Sequence, residues 1–166
     1  MRLFPARRDE GHLVRANPLA TAEPPLDAQA IWFELSRRDW TSLALVPVGT
    51  RLSAMPAAIA LSQVCAALQG PPLSILSGEE PDLALLSGLL EELSLARVGD
   101  AGRDRIVVPV ASILDHPPAV AIARAADCAV LCIELHKTSI ADARRAIALA
   151  GAERWLGYLV LGGGKP

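Results

Sequence analysis

The stretch from Ser42 to Gln69 decides the fold of this chain, because it joins a strand, a loop and a helix. It opens with SLALVPV (Ser42–Val48), a short apolar run of strand length. The loop GTRLSAM (Gly49–Met55) follows, and then PAAIALSQVCAALQ (Pro56–Gln69), which is typical of a helix. Pro56 suits a first helical position, because its fixed φ fits the helix and its missing N–H is not needed there.

In α/β proteins a loop of this kind often binds phosphate through backbone N–H groups and a lysine, with the pattern GxxxxGK[ST]. Gly49 matches the first glycine of that pattern. Ala54 stands in place of the second glycine, and Met55 in place of the lysine. The framework of a phosphate loop is therefore present without its chemistry. Pro56 and Ala57 follow, where the pattern has a Ser or Thr. The degenerate phosphate-loop region comprises Gly49, Thr50, Arg51, Ala54, Met55 and Pro56.

Composition limits the possible functions. The 166 residues suit one domain with a core of its own, and a net charge of −2 gives no basic field to attract nucleic acid. No apolar run has the length of a membrane span, and the charged N-terminus lacks the apolar segment of a secretory signal. Three cysteines (Cys65, Cys128 and Cys132) without CxxC spacing favour buried, reduced thiols in the cytoplasm over a Cys–His nucleophile pair.

The order of the apolar segments predicts the architecture. Residues 1–25 show little periodicity, and we expect a flexible arm there; residues 26–166 are predicted to form a single domain. Alternating strands and helices predict a three-layer α/β/α sandwich with a mostly parallel sheet. The further predicted strands are Pro72–Leu76, Arg105–Val110, Cys128–Leu135 and Arg154–Leu161. The further predicted helices are Leu26–Arg38, with Asp27 as N-cap, Pro81–Leu95, Ala119–Ala126, and one that Thr138 or Ser139 caps and Gly151 ends.

Ligands of parallel sheets bind outside the carboxyl ends of the strands. At that edge, Asp115 and His116 could form a metal or acid/base site with Glu79, Glu80 or His136. Solvated loop side chains are the simpler interpretation, and we assign no catalytic or metal-ligating residue. Lys137 and Thr138 could contact a nucleotide there, but a helix cap beside a solvated lysine explains them without a ligand.

The second half of the chain resembles the cytoplasmic tyrosine kinases of bacterial capsule and exopolysaccharide assembly, which belong with the MinD/ParA-type P-loop ATPases. The resemblance lies in RIVVPV and in ARAADCAVLCIELHKTSIADARRAIALAGAERWLGYLVL, where Ala126-Asp127, Lys137-Thr138 and Leu156-Gly157 are in register. DAQAIWFELSRR also resembles the family's helix before its first strand. The likeness covers roughly Asp27 to Leu161 and implies a P-loop NTPase-like fold.

The departures from the family pattern concern the chemistry. Met55 replaces the lysine, and Pro109 stands where the Walker B-type Asp is expected. Ser77 stands where an acidic residue is expected after the second strand, with Glu79 two residues further on. The family's C-terminal tyrosine cluster is absent; Tyr158, the single tyrosine, falls in a predicted strand, where we expect it to be at least half-buried. Without the groups that position Mg²⁺ and phosphate, the resemblance implies a pseudokinase rather than a working kinase.

The resemblance thus implies a non-catalytic protein that binds and regulates a membrane polysaccharide co-polymerase, or chain-length determinant, in exopolysaccharide biosynthesis or export. It would act in the cytoplasm, or at the inner membrane through that partner, without a cofactor or nucleic acid and with self-association as a further possibility. One alternative is an active ATP- and Mg²⁺-dependent kinase or ATPase with an atypical loop. Another is a MinD/ParA-like positioning or scaffold protein. Under the pseudokinase interpretation we expect Met55 to pack into the vacant phosphate position.

Overall fold

Strands and helices alternate along the chain, as the apolar pattern predicts. The computed structural model describes Leu13–Val14 and residues 25–98 and 104–161. Within these residues the strands are β1 (Leu13–Val14), β2 (Ser42–Val48), β3 (Leu73–Leu76), β4 (Arg105–Pro109), β5 (Cys128–Glu134) and β6 (Trp155–Leu161). The helices are α1 (Leu26–Ser36), α2 (Met55–Ala67), α3 (Leu83–Val98), α4 (Pro117–Ala125) and α5 (Ile140–Ala150), with a short 3-10 turn at Ala152–Arg154.

The strands form one sheet in the order β1-β3-β4-β2-β5-β6. The five strands from β2 to β6 run parallel, and β1 pairs antiparallel with β3. β2 lies between β4 and β5, and all seven of its residues are buried. A continuously apolar run is typical of a parallel strand that is covered on both faces.

Two cores cover the two faces of the sheet. On one face α1 and α2 pack over Leu43 and Leu45 of β2, and on the other α3, α4 and α5 pack over Ala44, Val46 and Val48. Successive β2 side chains alternate between these cores because side chains of a strand point to opposite faces in turn. The predicted three-layer α/β/α sandwich is therefore confirmed.

The order of the strands places the start of α2 at a switch point of the sheet. The connection from β2 runs along the α1/α2 face toward β3, whereas the connections from β4 and β5 run along the opposite face. Such a reversal opens a crevice at the carboxyl ends of the strands. The loop that follows β2 lies at this crevice.

The predicted ends of two elements are confirmed, and one predicted helix cap is wrong. β4 ends at Pro109, and Gly151 ends α5, as predicted. The prediction that Asp27 is the N-cap of α1 is wrong: Pro25 occupies that position and Asp27 lies in the first turn. The arm predicted over residues 1–25 falls mostly outside the described residues, although Leu13–Val14 adds an edge strand to the sheet.

The side chain of Tyr158 is more exposed than expected, because Tyr158 lies in an edge strand. The indole Nε1 of Trp155 at the start of β6 donates to the Ile147 carbonyl of α5 at 3.2 Å, so α5 covers this end of the strand. Tyr158, three residues further on, is 63% exposed. The prediction that it is at least half-buried is wrong, because the cover that α5 gives to Trp155 does not reach it.

Candidate functional site

The loop after β2 directs the N-terminus of α2 toward the carboxyl edge of the sheet. It turns through two residues with positive φ, Gly49 at 146° and Arg51 at 63°. The left-handed conformation of Arg51 is uncommon for a residue other than glycine. α2 then begins at Met55 with Pro56 in its first turn, where the missing N–H of proline leaves no hydrogen bond unmade.

A carboxylate from a different loop occupies the N-terminus of α2. Oε1 of Glu79 accepts hydrogen bonds from the Ser53 hydroxyl at 2.6 Å and from the Ala54 backbone N–H at 2.9 Å. Ser53 Oγ in turn accepts from the Met55 N–H at 3.1 Å. The first N–H groups of a helix lack partners within the helix and carry the positive end of its dipole, so they favour an anion. Here the protein supplies that anion itself.

Gly78 holds Glu79 in this position. The Gly78 N–H donates to the Pro109 carbonyl at 2.8 Å, and Gly78 forms a parallel bridge with Val110. A Cβ at Gly78 would lie 3.0 Å from Cδ1 of Ile122 and 3.1 Å from Cγ1 of Val108. Because that space is already filled, glycine allows the chain after β3 to approach β4 closely, and Glu79 follows at the edge.

The loops after β2, β3 and β4 together enclose a cleft of about 450 Å³. The charges around this cleft are mostly negative: three carboxylates (Glu79, Glu80 and Asp115) face one permanent cation, Arg51. A phosphate-binding site needs the reverse balance. The cleft is lined by Thr50, Arg51, Leu52, Ser53, Glu79, Glu80, Ala111, Ser112, Asp115 and His116.

Asp115 and His116 lie in this cleft, just before α4. Their backbone N–H groups donate to the Ser112 carbonyl at 3.1 and 3.0 Å, and both residues are exposed. The structure thus brings them to the same cleft as Glu79 and Glu80, whereas His136 does not line it. The described residues include no group of three or more His, Cys, Asp or Glu side chains that could hold a metal ion.

Lys137 and Thr138 lie on the other side of β2 and do not line the cleft. The Thr138 hydroxyl donates to the Val48 carbonyl at 2.8 Å and accepts from the Glu134 N–H at 2.9 Å. Nζ of Lys137 lies 2.6 Å from a carboxylate oxygen of Glu134. These contacts tie the end of β5 to the end of β2.

The N-cap of α5 is Ser139, whose hydroxyl accepts from the Asp142 N–H at 3.0 Å.

Met55 does not take the place of a phosphate. Its side chain is partly buried and packs against the core between α1, α2 and the sheet. The group that meets the backbone at the start of α2 is the Glu79 carboxylate. The expectation that Met55 fills this position is wrong, because a helix N-terminus prefers an anion to an apolar side chain.

Two polar residues of the cleft, Ser53 and Ser112, are not among the site residues predicted from the sequence. A signal for Ser53 exists, since a serine just before a helix that starts with a proline is a common capping pattern. Ser112 carries no such signal. It is buried, and its hydroxyl has no hydrogen-bond partner among the residues that the structure describes.

The three cysteines offer no activated thiol. Cys65, Cys128 and Cys132 are free and buried. Burial raises the pKa of each thiol, to about 12 for Cys132, where a backbone hydrogen bond involving Val46 offsets only part of the effect. A nucleophilic cysteine requires a lowered pKa and access to substrate. The arrangement therefore does not support the Cys–His alternative.

The residues at the start of α2 do not suit the nucleotide that the family resemblance implies. A phosphate at this helix would have to displace Glu79 from Ser53 and Ala54 and lie beside further carboxylates. No lysine lines the described cleft to offset this repulsion. The site is a helix N-terminus capped by an internal carboxylate.

No protein-family model matches this chain, and no curated protein matches it. None of the helices in the described part of the chain is both long enough and apolar enough to cross a membrane. The fold and the cleft therefore define the class: an α/β/α sandwich with a parallel sheet whose switch-point helix is capped from within.

Proposed function

We propose that this chain is a non-catalytic, P-loop-like pseudokinase that binds and regulates a membrane polysaccharide co-polymerase or export protein. The observation that supports the non-catalytic part is the Glu79 carboxylate on the Ala54 N–H at the start of α2. The polysaccharide part follows from the resemblance between residues 27–161 and the capsule and exopolysaccharide kinases.

Three departures from a phosphoryl-transfer site support the proposed absence of catalysis. Phosphoryl transfer depends on positioning and charge neutralisation by backbone amides, a lysine and Mg²⁺. Here an internal anion takes the backbone amide, and the lysine position holds a partly buried methionine. Pro109 and Ser77, in place of two acidic residues of the family pattern, have no side-chain carboxylate to offer Mg²⁺.

A protein of this kind acts through its surfaces. The Glu79 carboxylate, hydrogen-bonded to Ser53 and Ala54, lets the start of α2 be ordered without a bound nucleotide. A partner can then recognise the loops at the carboxyl edge in one conformation. Regulation by such a protein depends on its abundance and on its partner rather than on a hydrolysis cycle.

Calorimetry with Mg-ATP tests the non-catalytic part. We expect no binding tighter than millimolar, which corresponds to a binding free energy no stronger than about −4 kcal/mol. Glu79→Ala removes the internal anion. Glu80→Ala leaves that anion in place and is the matched control. Micromolar binding by the unaltered protein would overturn the proposal in favour of an atypical ATPase or kinase.

Affinity purification from membranes of the native organism tests the partner. We expect recovery of a membrane protein of polysaccharide chain-length control or export, and an altered polymer length when the gene is deleted. A partner set without any such protein, together with unchanged polymer, would overturn the polysaccharide assignment. Recovery of chromosome- or cell-pole-positioning proteins would instead favour the MinD/ParA-like scaffold.

A further inference from the structure

Among the residues that the structure describes, β6 forms an edge of the sheet along its full length. Among the described strands it pairs with β5 alone, from Trp155 opposite Ala129 to Leu161 opposite Glu134. Its other side therefore presents a row of backbone N–H and C=O groups that no described strand satisfies. Such a row is a template for another strand.

The sequence of β6 has few of the features that protect an edge. WLGYLVL contains no charged residue and no proline, two kinds of residue that prevent edge-to-edge pairing. A register shift in the pairing with β5 lies between Ala129 and Val130, at the start of the strand. From Gly157 to Leu161 the pairing with β5 is regular, so this part of the edge is regular enough to accept a partner.

The opposite edge of the sheet is different. There β1 covers β3 with a two-residue antiparallel strand, Leu13–Val14. An edge this short offers little to pair with. The described sheet thus has one long edge available for pairing.

The side chains of β6 are apolar on both faces. Leu159 is buried in the core with α1 and α2, at 3% exposure. Tyr158, the middle residue of the seven, is 63% exposed, and Val160 beside it is partly buried. A large aromatic ring at the centre of an unprotected edge strand is a candidate contact for a partner, since tyrosine is enriched where proteins associate.

We propose that β6 pairs antiparallel with β6 of a second copy of this chain, about a twofold axis close to Tyr158. The two sheets then continue as one, and the tyrosines of the two copies lie near each other across the axis. The proposal concerns self-association and does not depend on the proposed function at the carboxyl edge.

Two features favour a second copy over another protein. An antiparallel pair of identical strands is self-complementary, and in WLGYLVL no like charges oppose each other across the axis. Because a twofold contact uses the same edge of both copies, pairing through β6 closes at two copies instead of extending into a fibre.

Two substitutions of opposite charge at Tyr158 give a direct test of the dimer. Tyr158→Lys and Tyr158→Glu each place like charges opposite each other in the dimer, while the exposed position lets the monomer tolerate either side chain. We expect sedimentation equilibrium to show a dimer for the unaltered chain. Each variant alone should raise the dissociation constant by roughly a hundredfold or more, because like charges juxtaposed at an interface are strongly unfavourable. An equal mixture of the two variants should associate again.

The control is Leu83→Lys, which changes an apolar residue of 84% exposure at the start of α3. It adds the same charge but lies on an element that packs against β2 and β4, so the dimer should persist. Thermal melts of all variants verify that the monomer is folded. Amide hydrogen exchange of the unaltered chain should slow in β6 as protein concentration rises.

Three results would overturn the proposal. The first is a monomeric unaltered chain at all concentrations. The second is a dimer that Leu83→Lys disrupts and Tyr158→Lys does not. The third is a mixture of the two Tyr158 variants that stays monomeric although both are folded, since this would show that the tyrosines do not face each other across the axis.

Discussion

The Glu79 carboxylate accepts a hydrogen bond from the Ala54 N–H at 2.9 Å, although 25 residues separate the two in the chain. The same oxygen accepts from the Ser53 hydroxyl. Ala54, the N-cap of α2, has no side-chain oxygen of its own, and its N–H is bonded by a side chain from the loop after β3. This contact joins two carboxyl-edge loops and decides what the start of α2 can bind.

Replacing Glu79 with alanine should weaken the fold. We expect Glu79→Ala to lower the free energy of unfolding by about 1 kcal/mol, the usual cost of losing a helix cap. Urea denaturation of the two proteins measures the difference. Glu80→Ala removes a neighbouring exposed carboxylate that makes no described hydrogen bond, and it should change stability by less than about 0.5 kcal/mol. Equal effects of the two substitutions would contradict the capping role.

Met55→Lys should not create a nucleotide site. The side chain is partly buried at the positive end of α2, where a second positive charge is unfavourable, and we expect a loss of stability of about 1 kcal/mol. Thermal melts with and without Mg-ATP should superimpose, because Glu79 still occupies the Ala54 N–H. Met55→Leu keeps the apolar volume and should melt close to the unaltered protein. A variant that Mg-ATP stabilises would show that the site is open.

Asp127 should contribute more to stability than any cleft residue. Its Oδ2 accepts from the backbone N–H groups of Thr41 and Ser42 and from both their hydroxyls, at 2.7 to 3.2 Å. Since hydrogen bonds to a charged acceptor are among the stronger ones, Asp127→Ala should cost about 2 to 3 kcal/mol in chemical denaturation. Asp39→Ala, a change at an exposed residue near the same junction, is the control and should be close to neutral.

The Cys132 thiol should make stability depend on pH in the alkaline range. Burial raises its pKa from 9.0 to about 12 in the folded chain. The folded state therefore holds its proton where the unfolded state has lost it. Its contribution to stability is complete below about pH 9 and is lost as pH rises toward 12, on the order of 1 kcal/mol per pH unit. Cys132→Ala should remove that part of the slope, which urea melts at several alkaline pH values can measure; identical slopes would refute the prediction.

The sequence by itself determines the order and kind of the elements. SLALVPV (Ser42–Val48) is a strand at the predicted bounds, and Pro109 and Gly151 end their elements where predicted. These are local signals: an apolar run of strand length, a residue that cannot donate to a sheet, and a residue that accepts positive φ. The alternation of strands and helices then leaves a parallel sandwich as the arrangement that buries every apolar run.

Only the tertiary structure decides which loops meet at the ends of the strands and which side chains are buried. Glu79 meets Ala54 because β3 and β2 both flank β4 in the sheet, a relationship that no local pattern contains. Tyr158 is exposed and Met55 is packed for the same reason: burial depends on which strand is at the edge and which helix lies above it. Strand order arises from the competition among long-range pairings. The sequence of the loop GTRLSAM therefore cannot predict which anion meets the N-terminus of α2.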